Sequence, residues 1–96
     1  MVPTGPSNLQ LKDASGAIVG CKSDCLVASD PSNSPACCSG QYSTPGNCPS
    51  SGVPDYNYFK SSCPDSYAYA FDESSGTALW TCPGSDAADY TITFCP

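Results

Sequence analysis

The chain has 96 residues, including eight cysteines and ten prolines, and a formal net charge of −6 from nine acidic and three basic side chains. A domain this short buries little apolar surface, and this composition is typical of a secreted protein held by disulfides. The negative charge disfavours nucleic acid as a partner. There is no histidine, no C-x-x-C pair and no apolar run of the roughly 18 residues that span a membrane. We therefore expect a secreted, extracellular protein with no metal, no cofactor and no membrane span.

The first two thirds of the chain predict a hairpin and two short helices. Leucines alternate with polar residues at Leu9 and Leu11, and the chain turns at 13–16 before apolar residues resume, so residues 8–20 predict a small β-hairpin. Residues 21–29 follow as one or two helical turns. Residues 30–54, rich in Pro, Ser, Gly and Asn, predict irregular structure. Residues 54–64 predict a helix that begins at Pro54 and Asp55 and ends at Pro64.

Two neighbouring cysteines, Cys37 and Cys38, must form disulfides with two different partners, because adjacent side chains point in different directions. Cys25 lies twelve residues before Cys37, and Cys48 lies ten residues after Cys38. The shortest loops therefore pair Cys25 with Cys37 and Cys38 with Cys48. On the chain-entropy model, each closure stabilises the fold by roughly 3 kcal/mol.

The last third of the chain has the alternation of β-strands. The runs "SYAYAF" (66–71), "TALWTC" (77–82) and "YTITFC" (90–95) are rich in aromatic and β-branched residues. Two of these runs place large side chains on one face. The first face, formed by Tyr67, Tyr69 and Phe71, is expected to be a core face, and the second is formed by Tyr90, Ile92 and Phe94. The prediction is a mainly β chain with short helices and irregular disulfide-rich loops. Residues 1–64 form the loop and short-helix region, and residues 65–96 form antiparallel strands.

Several ordered motifs resemble one protein family. The segments "GCKSDC" (20–25), "YFKSSCPDSYAYAFDE" (58–73), "TCPGS" (81–85) and "YTITFCP" (90–96), with the cysteine doublet, are similar to the C-terminal half of thaumatin-like, or pathogenesis-related class five, proteins. The resemblance implies a thaumatin-like fold without the N-terminal strands of the family's β-sandwich. Gly5 precedes Pro6 where the family commonly has Cys-Pro. On the family pattern four cysteines lack a partner, and they pair among themselves or with another chain: Cys21, Cys63, Cys82 and Cys95.

The resemblance also implies a ligand, β-1,3-glucan or another cell-wall polysaccharide, and a defence or antifungal role. Asp72 and Glu73 resemble acids beside the family's electronegative cleft, which makes them candidates for glucan contact and weak candidates for catalysis. Glycoside hydrolysis needs two carboxylates that face one bond, and neighbouring residues of a strand point to opposite faces. The chain also has no arginine. Three tyrosines in loop or helix-start positions are candidate platforms for sugar rings: Tyr42, Tyr56 and Tyr58.

Three functions follow from these patterns. The leading interpretation is polysaccharide binding. The alternatives are an endo-β-1,3-glucanase whose cleft is completed by another chain, and a structural or allergen-like scaffold without a ligand. Because a small chain must cover its aromatic stripes, we also expect a homodimer or a strand-paired oligomer through the C-terminal strands, with Cys95 near the contact. A fragment of a larger protein and a small domain that has repacked on itself are the alternatives.

Overall fold

The computed structural model describes residues 5–94, and its first unit is a two-stranded antiparallel hairpin. Strand β1 (Gln10–Lys12) pairs with strand β2 (Ile18–Cys21). The turn between them is held by Asp13, whose carboxylate accepts hydrogen bonds from the backbone N–H of Ala17 at 3.0 Å and of Ser15 at 2.9 Å. The predicted hairpin is confirmed. It could be predicted from the sequence because the hydrogen bonds of its turn join residues that lie within five positions of one another.

Two short α-helices follow, both near their predicted positions. Helix α1 (Asp24–Val27) begins after Ser23, whose hydroxyl accepts a hydrogen bond from the backbone N–H of Leu26 at 3.2 Å. Helix α2 (Tyr56–Ser62) has two turns and ends just before Cys63 and Pro64. Within residues 5–94 no helix has the length and apolar character needed to cross a membrane. Single turns of 3-10 helix make up most of the remaining regular structure: Ser7–Leu9, Gly40–Tyr42, Ser50–Gly52, Asp72–Ser75 and Gly84–Asp86.

Both disulfides predicted from the loop lengths are present, Cys25–Cys37 and Cys38–Cys48. The backbone shows how the doublet reaches two partners. Cys38 has a φ of +50°, a left-handed conformation that costs a non-glycine residue about 1–2 kcal/mol. This turn sends the two neighbouring side chains to opposite loops. The remaining described cysteines, Cys21, Cys63 and Cys82, are free thiols, and Cys95 lies outside the described residues.

The apolar core is small. Among the described residues, the fully or nearly fully buried apolar side chains are Leu9, Cys48, Val53 and Ala78. Three polar side chains are buried with them: Asp24, Ser34 and Asp72. With so little apolar burial, the disulfides and buried hydrogen bonds carry a large share of the fold's stability.

The C-terminal third differs from the sequence prediction. No strand forms among the described residues 65–94, so β1 and β2 are the only strands in the described part of the chain, and the mainly β prediction is wrong there. Tyr90, Ile92 and Phe94 are 77%, 78% and 86% exposed. A run with strand alternation forms a strand only when another strand pairs with it, and no described segment does so here.

Candidate functional site

Asp72 lies at the centre of a buried hydrogen-bond network. Its Oδ1 accepts from the hydroxyl of Tyr56 at 2.8 Å, and its Oδ2 accepts from the ammonium of Lys60 at 3.0 Å and the backbone N–H of Ala68 at 2.9 Å. Lys60 also donates to the backbone carbonyl of Ser66 at 2.7 Å. The network therefore joins helix α2 to the turn at residues 66–72.

The environment of Asp72 explains its charge state and removes it from the surface. Burial by itself would raise the pKa of Asp72, but the hydrogen bonds from Ala68, Lys60 and Tyr56 outweigh it and hold the pKa below its ordinary value. The side chain is only 1% exposed. Asp72 also starts a 3-10 turn, where the sequence predicted a strand. Both carboxylate oxygens of Asp72 accept hydrogen bonds from within the chain; its roles in glucan contact and catalysis stay predictions.

Glu73, the other acid of the predicted pair, is exposed on the same turn. Its carboxylate lies near the hydroxyl of Tyr67, whose pKa is raised by burial and then by Glu73. The expectation that Tyr67, Tyr69 and Phe71 share a core face is not met, because Tyr67 is 47% exposed. Its accessible ring instead lines a cleft.

This aromatic cleft has a volume of about 310 Å³ and lies between α1, α2 and residues 67–70. Phe59, Tyr67 and Tyr69 supply ring surface, while Ser23 and Asp24 supply the polar groups. Its size is at the lower end of the roughly 300–1,000 Å³ of small-molecule sites, and an apolar lining with few polar groups is typical of them. The cleft can therefore hold a ring-shaped ligand next to the acidic residue Asp24.

Asp24 is the acidic residue of the cleft that the sequence analysis did not single out. Its side chain is 5% exposed, and its Oδ2 accepts a hydrogen bond from the backbone N–H of Asp55 at 3.0 Å. Burial raises the pKa of Asp24, the Asp55 carboxylate raises it further, and the N–H hydrogen bond opposes both. In the sequence Asp24 appears only as one polar residue of a helical turn, and no local pattern indicates a partner 31 residues away.

A second cavity of about 360 Å³ lies beside the start of α2. It is more polar, and its lining includes Ser50, Ser51, Asn57 and the ring of Tyr56. The Tyr56 hydroxyl is directed to Asp72, so only the ring is offered to this cavity.

The other two predicted tyrosines line neither of these cavities. Tyr42 is half-buried at the end of the Gly40–Tyr42 turn. Tyr58 packs edge-on against Phe59, with ring centroids 5.3 Å apart, and its hydroxyl lies against Gly5. The structure thus brings Tyr56 to Asp72 and Glu73 to Tyr67, but it does not assemble the predicted residues into one surface.

Comparison with known proteins agrees with the motifs. The sequence model of the Thaumatin family matches residues 1–96. The chain belongs to the thaumatin family. This thaumatin-family chain is 42% identical over 92 residues to "Thaumatin-like protein 1" of Pyrus pyrifolia, covering 95% of the chain and 34% of that relative.

Two further relatives of the thaumatin-family chain carry more specific names. "Glucan endo-1,3-beta-glucosidase" of Prunus avium is 40% identical over 91 residues, covering 95% of the chain and 34% of the relative. "Pathogenesis-related thaumatin-like protein 3.5" of Cryptomeria japonica is 41% identical over 83 residues, covering 86% of the chain and 30% of the relative. The thaumatin-family chain therefore spans about a third of the length of these relatives.

Proposed function

We propose that this chain binds β-1,3-glucan or another cell-wall polysaccharide, as a secreted protein of antifungal defence. The observation that carries the proposal is the aromatic cleft, whose lining brings Tyr67 and Tyr69 together with Asp24. Sugar rings have apolar faces that pack on aromatic side chains and hydroxyls that bond to carboxylates. The disulfides support secretion, because they persist in oxidising compartments.

The names of two relatives support the same class of ligand and role. One is named for β-1,3-glucan hydrolysis and another as pathogenesis-related. The site we propose differs from the one that the motifs suggested, because the lining of the cleft includes Asp24 and does not include Asp72. Glu73 is not a lining residue of the cleft, but it lies near the hydroxyl of Tyr67, which is one.

Isothermal titration calorimetry with a soluble laminari-oligosaccharide tests the proposal. Replacing Tyr67 by Ala removes an accessible ring from the cleft, and we expect the affinity to fall roughly fivefold to tenfold. The control is Tyr90→Ala, since Tyr90 is exposed and does not line the cleft. Equal affinities of the parent chain, Tyr67→Ala and Tyr90→Ala would mean that the ligand binds outside the cleft. No binding by any of the three proteins would favour the scaffold function.

Hydrolysis is the second candidate, supported by the name of the Prunus avium relative. A retaining or inverting glycosidase needs a second carboxylate about 5–10 Å from its acid. Asp24 is the only acidic residue among the described residues that line the cleft, and Asp72 is committed to Tyr56, Lys60 and Ala68. We therefore propose that the chain alone binds without cleaving, and release of reducing sugar from laminarin by the purified chain would contradict this.

A further inference from the structure

We propose that the aromatic cleft selects a protonated amine carried on a sugar ring, with Asp24 as the specificity-determining residue. The inference rests on the proposed function, because it names the class of sugar that the same cleft prefers. The ligand is a polysaccharide or oligosaccharide of amino sugars with free amino groups.

The first step is the unneutralised charge of Asp24. In residues 5–94 the only ion pair is Lys60–Asp72, so neither Lys12 nor Lys22 pairs with Asp24. The hydrogen bond from the Asp55 backbone satisfies Oδ2 of Asp24 but adds no positive charge. A carboxylate that is 5% exposed and has no cation beside it is costly to keep ionised.

The second step is what would offset this cost. An ammonium group brings a full positive charge and three hydrogen-bond donors to the carboxylate. A neutral hydroxyl brings one donor and no charge, so it gains less from the same position. A chain with a net charge of −6 also attracts cationic polymers over a longer range.

The third step is the wall that faces the cleft. Phe59, Tyr67 and Tyr69 present ring surface to it. Aromatic rings attract cations through their electron-rich faces and also pack on the apolar faces of sugars. An amino sugar uses both parts of the cleft at once, the rings for its body and Asp24 for its charge.

The titratable groups around Asp24 give the pH dependence of this recognition. Asp55 faces Asp24 from the start of α2, and Tyr67 and Tyr69 belong to the opposite wall. Burial and Asp55 raise the pKa of Asp24, whereas a bound ammonium would stabilise the ionised form and lower it. Binding of the amine therefore lowers the pKa of Asp24, and it weakens as the pH falls through that pKa.

Three trisaccharides test the proposal at pH 6: the glucosamine trimer, its N-acetylated form and the laminari-trimer. We expect the glucosamine trimer to bind about tenfold more tightly than either neutral trimer, which corresponds to about 1.4 kcal/mol. In Asp24→Asn, which keeps an acceptor for the Asp55 N–H, this preference should fall to about twofold or less. Asp86→Asn removes the same charge from an exposed turn and should keep the preference.

A second measurement does not depend on a variant. The side-chain carboxyl carbon of Asp24, followed by NMR during a pH titration, should show a lower pKa with the glucosamine trimer than without it. The absence of such a shift would overturn the proposal. Equal affinities for the three trimers, unchanged in Asp24→Asn, would overturn it as well.

The outcomes separate this inference from glucan binding. Equal binding of the laminari-trimer and the glucosamine trimer would overturn the inference and leave polysaccharide binding in place. Binding of the glucosamine trimer without the laminari-trimer would support the inference and overturn β-1,3-glucan as the ligand. No binding of any trimer would overturn both.

Discussion

The ammonium of Lys60 lies 3.0 Å from Oδ2 of Asp72, and this ion pair joins helix α2 to the turn that carries the family motif. The carboxylate is 1% exposed and the lysine side chain is largely buried. Because Tyr56 and the backbone of Ala68 bond to the same carboxylate, every acceptor oxygen of Asp72 is used for structure. The acid that the sequence indicated as a ligand-binding group thus has a structural role in this chain.

Replacing Asp72 by Ala should destabilise the fold by about 2–4 kcal/mol, because it leaves the buried ammonium of Lys60 and the hydroxyl of Tyr56 without their partner. Urea unfolding followed by far-ultraviolet circular dichroism measures the change. The control is Glu73→Ala, which alters the exposed neighbour and should change stability by no more than about 0.5 kcal/mol. Similar losses in the two variants would contradict the structural role of Asp72.

The lowered pKa of Asp72 predicts a loss of stability in acid. A carboxyl group whose folded pKa lies below the ordinary 3.8 stabilises the fold above that value and loses this contribution as the pH falls through the folded pKa. The midpoint of urea unfolding should therefore fall between pH 4 and pH 2. In Asp72→Asn this part of the pH dependence should be absent, and its persistence would assign the acid sensitivity to other groups.

Asp24 should have the opposite effect on stability. Its raised pKa means that the folded state holds this proton more tightly, so the stabilisation present in acid is lost as the pH rises through the folded pKa. Asp24→Asn removes the buried charge while keeping the acceptor for the Asp55 N–H. We expect this variant to be more stable than the parent chain at pH 7, with a gain that shrinks toward pH 3. A variant less stable than the parent at pH 7 would show that the charge is stabilising.

The disulfide Cys38–Cys48 closes a short loop, and the side chain of Cys48 is fully buried. Replacing both cysteines by Ser should cost roughly 3 kcal/mol through the loop entropy alone. The comparison variant is Cys82→Ser, because this exposed thiol forms no disulfide, and it should leave the unfolding midpoint nearly unchanged. Equal midpoints for the double variant and the parent chain would rule out a stabilising disulfide at this position.

The exposed side chains of Tyr90, Ile92 and Phe94 predict self-association. Each large apolar side chain that becomes covered gains about 1.5–3 kcal/mol, so we propose a homodimer through the C-terminal segment. Sedimentation equilibrium at micromolar concentration should show a dimer for the parent chain and a monomer for Ile92→Asp. Leu26→Asp changes an exposed apolar residue of α1 and should remain dimeric. A monomeric parent chain would overturn the proposal.

The elements predicted correctly from the sequence are those whose causes lie within a few residues. The hairpin depends on the turn around Asp13, and the two disulfide loops depend on spacings of twelve and ten residues. Helix α2 begins directly after Asp55 and ends two residues before Pro64. The family motifs are equally a property of the sequence, and the match over residues 1–96 confirms them.

The tertiary structure alone decided which buried acid pairs with a lysine and which one lines the cleft. Asp72 meets Tyr56 across 16 residues, and Asp24 meets Asp55 across 31, so neither environment is visible in a local pattern. The strands predicted in the last third of the chain do not form among the described residues, because a strand needs a second strand to pair with. Local turns and short loops are determined by neighbouring residues, whereas burial, charge state and strand pairing are determined by groups that only folding brings together.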